Sequence, residues 1–169
     1  IEIKNCNACD LETEHYIRQP VLLVPVSNHR RHITLSDQIN SSFVTETIGK
    51  DNAIECSKCS RSTMPHRQPH KVRASMAHKP NGSILVIHLK RVTMNSTHNK
   101  AEKNHHQIDI PLELDTSAYE RTERGVVDAT IPQMYALTGV VVHRGRTPNG
   151  GHYVSYVRSL VRPGQPWHL

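Results

Sequence analysis

Residues 135–158 read YALTGVVVHRGRTPNGGHYVSYVR. Two runs rich in Val and Tyr flank Gly145, Pro148, Asn149, Gly150 and Gly151, the composition of two strands joined by a glycine-rich turn. Glycines at that turn let a backbone approach closely or take positive φ, which suits a place where an extended peptide passes. His152 follows the glycine pair directly, and an imidazole so placed can serve as a general base. With thirteen histidines in the chain, that position by itself marks only a candidate.

Working outward, β-branched or alternating runs bounded by Gly, Pro and Asn predict strands over 1–4, 21–26, 83–92, 136–143 and 153–158. One short helix is predicted over 35–43, where Leu35, Ile39 and Phe43 recur every four residues and Thr34 or Ser36 can cap it. Residues 59–80, SRSTMPHRQPHKVRASMAHKP after Cys59, are polar and Pro-interrupted and read as a long connection or irregular insertion. Residues 94–106 and 119–133 read as further polar connections.

The chain has 169 residues, 36% hydrophobic and 21% charged. Folding at this length buries roughly 70% of the unfolded surface, enough for a real core. No apolar run approaches the roughly 18 residues of a membrane-spanning helix, so no membrane partner is expected. Only seven residues are aromatic, the first is Ile1 and the last is Leu169, and the sequence reads as a fragment of a longer protein. Lys and Arg exceed Asp and Glu by 21 to 15, for a formal charge of +6. The basic residues are scattered (Arg30 and Arg31, Lys71 and Arg73, Lys90 and Arg91) without interleaved aromatics, which disfavours a nucleic acid partner.

All four cysteines fall in two C-x-x-C pairs, Cys6 and Cys9 in NCNACD and Cys56 and Cys59 in ECSKCS. One such turn presents two thiolates to an ion, and two complete the tetrahedral four-sulfur shell of structural zinc. The separation exceeds that of a compact zinc ribbon, so the pairs should sit at the tips of two hairpins brought together by the fold. Two disulfides, or four unpaired buried thiols, are the alternatives. Nothing marks the chain as secreted, and thiolates argue for a reducing compartment, cytoplasm or nucleus.

Taken in order, the two C-x-x-C pairs, ILVIHLKRV, IDIPLELD, YALTGVVVHRG and GGHYVSYVR resemble the C-terminal part of the catalytic domain of a ubiquitin-specific protease, a papain-like deubiquitinating enzyme. The resemblance runs from Cys6 to Trp167. It implies an α+β fold, the β-rich fingers and palm portion of a papain-like cysteine protease, with antiparallel sheets and few short helices. Residues 1–62 would be zinc-binding fingers, with Cys6, Cys9, Cys56 and Cys59 holding one structural zinc. Residues 63–169 would be palm, with His152 as the catalytic base. Gly150, Gly151, Tyr153 and His143 would line the channel for the C-terminal tail of ubiquitin, the implied partner.

Hydrolysis of an isopeptide bond at ubiquitin's C-terminal glycine needs a thiolate, a histidine to take and return the proton, and a polar residue to orient the imidazole. Here the chain departs from the family. The Cys-containing box that opens its catalytic domain is not present, and the Asp or Asn that follows the Trp-containing strand would come after Leu169. The chain alone is therefore expected to be inactive. A non-catalytic ubiquitin-binding module or pseudoenzyme fragment is the alternative, and a zinc-ribbon nucleic-acid binder is a weaker one. His98, His105 and His106 could suggest a second metal site, although a polar loop of this kind is ordinarily solvated.

Overall fold

The computed structural model describes residues 1–17, 19–27, 33–61, 67–74, 76–77, 84–95, 97–122, 125–126, 133–159 and 167–168. The chain forms two compact units, one of Ile1–Pro20, Asn40–Ile84 and Ser117–Ile131, the other of Val21–Ile39, Leu85–Thr116 and Pro132–Leu169. Short strands dominate and a single α-helix, Leu35–Ser42, is present among the described residues. The α+β, mainly antiparallel architecture expected from the sequence is the one observed.

In the first unit a four-stranded antiparallel sheet has the order Glu12–His15, Glu2–Cys6, His70–Ala74, Glu46–Ile48. Ile3 on an inner strand is 1% exposed and anchors its buried face. Strand His70–Ala74 lies inside the stretch predicted as an irregular connection, and this is a correction. His70 is buried and Val72 half-buried, whereas Lys71 is exposed, a period-two alternation hidden from sequence reading by a polar inward residue. The buried His70 ring is satisfied through Nδ1, 2.8 Å from the carbonyl oxygen of Gln68. Phe43 stacks on Tyr119 with ring centroids 5.0 Å apart, and the Tyr119 hydroxyl bonds Asn40 Oδ1.

In the second unit the helix begins where the sequence indicated. Thr34 Oγ1 accepts the backbone N–H of Asp37 at 3.1 Å, an N-cap satisfying one of the otherwise orphaned first-turn donors. Leu35 and Ile39 point into the core with Val24 and Ile33. Strand Leu22–Pro25 pairs with Ile87–Lys90 in parallel, one of the few parallel pairings among the described residues, with Met76–Ala77 beside Glu120–Thr122 and the Thr34–Asp109 bridge. The predicted polar connection 94–106 is instead largely a hairpin, Val92–Asn95 against Lys100–Lys103. Its alternating apolar residues Val92 and Met94 are exposed and its half-buried positions are mostly polar, Asn95 and Lys103 beside Ala101, so the apolar pattern did not mark an inward face. Asn104, which follows, is buried and donates from Nδ2 to the Val26 carbonyl at 3.3 Å and to the Ser27 carbonyl at 3.4 Å.

The opening stretch forms the longest paired element. Strands Gly139–Thr147 and Gly150–Val157 run antiparallel, with His143 opposite Tyr153, Arg144 opposite His152 and Thr147 opposite Gly150. Between Arg144 and Thr147 the register shifts, a β-bulge that places two residues against one and turns the strand. Backbone pairing of His168 with Val157 adds a short third strand segment beside the hairpin.

Candidate functional site: a cysteine cluster and a histidine hairpin

Both C-x-x-C pairs occupy turns between paired strands, as expected. The first lies between Glu2–Cys6 and Glu12–His15, the second between Ile54–Glu55 and Arg67–Gln68. The two turns share one geometry. In each, the residue after the second cysteine donates its N–H to the carbonyl of the first, Asp10 to Cys6 and Ser60 to Cys56, both at 2.9 Å. Asp10 takes φ 54 to close the first turn, a left-handed conformation that Asp tolerates better than most residues. Lys58 Nζ, on the second turn, donates to the Cys9 carbonyl of the first at 3.2 Å.

This doubling brings all four Sγ atoms within 4.8 Å of one another. Cys6 Sγ lies 3.8 Å from Cys59 Sγ, and Cys9 Sγ 3.6 Å from Cys56 Sγ. A disulfide would need about 2.05 Å, so the pairs are not bridged, and all four thiols are free. A tetrahedron of sulfurs at about 2.3 Å from a central ion has edges of about 3.8 Å, close to the two Sγ–Sγ distances just given. Cys6, Cys56 and Cys59 are buried and packed with Cys9 and Leu11. The backbone N–H of Cys59, with help from neighbouring thiols and the Lys58 N–H, brings the Cys56 thiol down to about 6. Burial, reinforced by the other three sulfurs, pushes Cys59 up to about 12. Four soft donors in a closed shell can hold a thiophilic metal ion and leave no coordination position open for substrate. Among the described residues no other group of three metal-donor side chains converges, and His98, His105 and His106 are not brought together as one.

The hairpin presents the histidine residues differently. Paired residues of an antiparallel ladder share a face and successive residues alternate, so His152 stands with Arg144 on one face, and His143 with Tyr153 on the other. His152 is exposed, as is Tyr153, at 73%. The His143 and Tyr153 rings are 4.9 Å apart. Arg144 Nη2 donates to the Tyr156 hydroxyl at 2.7 Å, stiffening the His152 face. Among the described residues no side chain within hydrogen-bonding reach orients the His152 imidazole, and the chain's four cysteines are all in the cluster.

The two glycine positions have specific reasons. Gly151 has φ 137, and a methyl group there would overlap the Arg144 carbonyl oxygen and lie 2.8 Å from both Gly145 Cα and His143 Nε2. A methyl group on Gly145 would overlap the Gly150 carbonyl oxygen and come within 2.9 Å of His143 Cε1. The two glycines thus form a side-chain-free floor beneath the His143 ring. One cavity, of about 410 Å³, is lined by Thr93, Glu102, Lys103, Asn104, His105 and His106 and does not include His152.

One residue of this site was not singled out from the sequence. Lys103 is half-buried and its ammonium reaches His143 Nδ1 at 3.0 Å, the His143 carbonyl at 3.0 Å and the Gly145 carbonyl at 2.7 Å. A lysine forty residues away in a polar stretch carries no local signal of such a contact.

Comparison with known proteins agrees with this arrangement. The family model described as "Ubiquitin carboxyl-terminal hydrolase" matches residues 6–168. Ubiquitin carboxyl-terminal hydrolase 4 of Arabidopsis thaliana is 36% identical over 115 residues, 68% of this chain and 28% of that protein. Ubiquitin carboxyl-terminal hydrolase 10 of Saccharomyces cerevisiae is 26% identical over 145 residues, 84% of this chain and 16% of that protein. The chain therefore spans under a third of the length of these relatives. In fold it is similar to a SAGA Ubp8/Sgf11/Sus1/Sgf73 DUB module chain bound to ubiquitin aldehyde, with a TM-score of 0.76, 22% identity, and coverage of 98% of this chain and 34% of that one. On the match that runs from the first cysteine to the last strand, this chain belongs to the ubiquitin carboxyl-terminal hydrolase family.

Proposed function

We propose that this chain is the base-bearing part of the catalytic domain of a cysteine-type deubiquitinase, a thiol protease that hydrolyses isopeptide bonds at the C-terminal glycine of ubiquitin. The observation that carries the reading is the hairpin. It exposes His152 directly after Gly150 and Gly151, on the face of the ladder opposite His143 and Tyr153, whose side has a two-glycine floor that an extended glycine-ended tail could cross. In this reading Gly150, Gly151, Tyr153 and His143 line the tail channel. His152 takes the proton of a thiol supplied from outside these residues and returns it to the leaving amine. The oxyanion that forms in between needs donors positioned at the reacting carbonyl.

The partner is ubiquitin or a ubiquitin conjugate, a reading supported by family membership and by structural neighbours bound to ubiquitin aldehyde and to monoubiquitin. Cys6, Cys9, Cys56 and Cys59 would hold one zinc ion, which the sulfur spacing fits. A closed four-cysteine shell stabilises the fold and carries no chemistry. Residues 1–62 act as the fingers and 63–169 as the palm. Four free thiols are what a reducing compartment, cytoplasm or nucleus, would maintain, and this reading puts the protein there. No helix among the described residues is long and apolar enough to cross a membrane.

The test is hydrolysis of a ubiquitin C-terminal coumarin amide by the full-length protein that contains these residues. Turnover should be lost in His152→Ala with folding intact, because exposed substitutions ordinarily change stability by no more than about 0.5 kcal/mol. The 169-residue chain alone should give no turnover. Full activity in the His152→Ala protein would overturn the assignment.

A further inference from the structure

We propose that Lys103 is a positioning residue of the histidine hairpin, fixing His143 as its Nε2–H tautomer and clamping the bulge that carries Gly151 and His152. The tautomer and clamp stand on the geometry alone. The consequence for catalysis rests on the deubiquitinase reading above.

An ammonium has three N–H donors and no acceptor. Lys103 Nζ meets three acceptors at hydrogen-bonding distance, His143 Nδ1, His143 O and Gly145 O. Its donors are thereby used in full. Because the lysine nitrogen can only donate, the contact with Nδ1 requires a lone pair on that atom. The proton of a neutral imidazole must then sit on Nε2. A proton on both nitrogens would set an N–H against the ammonium and break the contact.

The two carbonyls tie the tautomer to the backbone. His143 O and Gly145 O lie on either side of Arg144, where the ladder loses register before Thr147. Bulges leave backbone groups without ladder partners, and here a single cation gathers two carbonyls of the bulged strand. The partner strand at this level is Gly150, Gly151 and His152. A shift of the bulge therefore moves the residue opposite Arg144, which is His152.

Lys103 is itself held from behind. Its strand Lys100–Lys103 is paired with Val92–Asn95, and the next residue, Asn104, receives two further anchors. The N–H of Asn104 donates to the Arg91 carbonyl at 2.6 Å, and its side chain reaches Val26 and Ser27. The ammonium thus projects from a fixed point rather than from a free strand end.

The functional consequence follows from where Nε2 lies. It stands over Gly151, at the place a side chain would fill. With the proton on Nε2, the glycine floor is bordered by a hydrogen-bond donor rather than a lone pair. Main-chain carbonyls of an extended tail are acceptors, so the fixed tautomer suits a peptide backbone passing over the two glycines. The inverse tautomer would present lone pair to lone pair.

The experiment reads the tautomer directly. Long-range ¹⁵N–¹H correlation spectra of the 169-residue protein at neutral pH should show His143 with an unprotonated Nδ1 and a protonated Nε2 in a single form, and a Lys103 ammonium protected from solvent exchange. In Lys103→Met the Nδ1 resonance should move toward the exchange average of the two tautomers. Lys103→Arg, also a pure donor, should keep the wild-type form. A wild-type spectrum with the proton on Nδ1, or an unchanged single form in a folded Lys103→Met protein, overturns the proposal. The wild-type spectrum decides this even where the Met variant fails to fold. In the full-length protein, Lys103→Met should lower kcat/KM for the coumarin amide by about 10- to 100-fold, the worth of one charge-assisted hydrogen bond, with partial rescue in Lys103→Arg. Unchanged kcat/KM in Lys103→Met refutes the catalytic consequence. A full-length wild-type protein without turnover refutes the deubiquitinase reading instead, and leaves the tautomer to the spectra.

Discussion

Gly151→Ala is the sharpest test of the hairpin geometry. At φ 137 an L-residue is strained, at a cost of about 1–3 kcal/mol. The added methyl also overlaps the Arg144 carbonyl oxygen and crowds Gly145 Cα and His143 Nε2 at 2.8 Å. Two of these three neighbours are backbone atoms inside a hydrogen-bonded ladder and cannot rotate away, so overpacking adds about 1–3 kcal/mol. Reduced freedom of the unfolded chain returns about 0.4–1 kcal/mol. The net loss is about 1–6 kcal/mol, centred near about 3, and at about 2–4 °C per kcal/mol for a chain this long the melting midpoint should fall by roughly 2–22 °C, with about 9 °C the central value. Gly49→Ala is the internal control, since nothing lies within 4 Å of its added methyl and its φ is −77; its midpoint should hold or rise slightly. Thermal melts followed by circular dichroism, with amide spectra of residues 139–157, measure both. A Gly151→Ala midpoint within about 1 °C of wild type, with hairpin amide shifts unchanged, would refute the argument, because the strain and overlap together predict several times that shift.

On the four-cysteine metal reading proposed above, Cys56→Ser should abolish metal binding. Elemental analysis is expected to fall from one ion per chain toward none, with loss of amide dispersion in residues 6–11 and 54–61, because structural four-cysteine sites contribute on the order of 10 kcal/mol at neutral pH. Wild-type metal content in this variant would contradict the shared site. Ile3→Ala, on an inner strand and 1% exposed, should cost about 2–5 kcal/mol by urea denaturation, as buried aliphatic truncations do. Thr34→Ala removes the helix cap and should cost about 1 kcal/mol; a loss below a few tenths would mean that the Asp37 N–H finds another acceptor.

What could be read in advance was whatever depends on neighbours in the chain. The Thr34 cap, the four-residue spacing of Leu35 and Ile39, the glycine turn before His152 and the two C-x-x-C turns are local patterns, and the physics that forms them acts over a few residues. Strand His70–Ala74 escaped because only Val72 of its inward residues is apolar and the other is a histidine whose ring is satisfied by a backbone carbonyl, too short an apolar pattern to read. The Lys100–Lys103 strand escaped because it is stabilised by backbone pairing and by Asn104 reaching a separate segment.

That the four cysteines pair up in two turns was thus legible in the sequence by itself, since spacing within a turn decides which side chains can converge. Tertiary structure alone decided that the two turns meet, that His143 and His152 occupy opposite faces of one ladder, and that a lysine forty residues from His143 holds the bulge. Those outcomes depend on strand register and on contacts between distant segments, where a displacement of one residue would exchange the two faces, and no short stretch of sequence encodes such a choice.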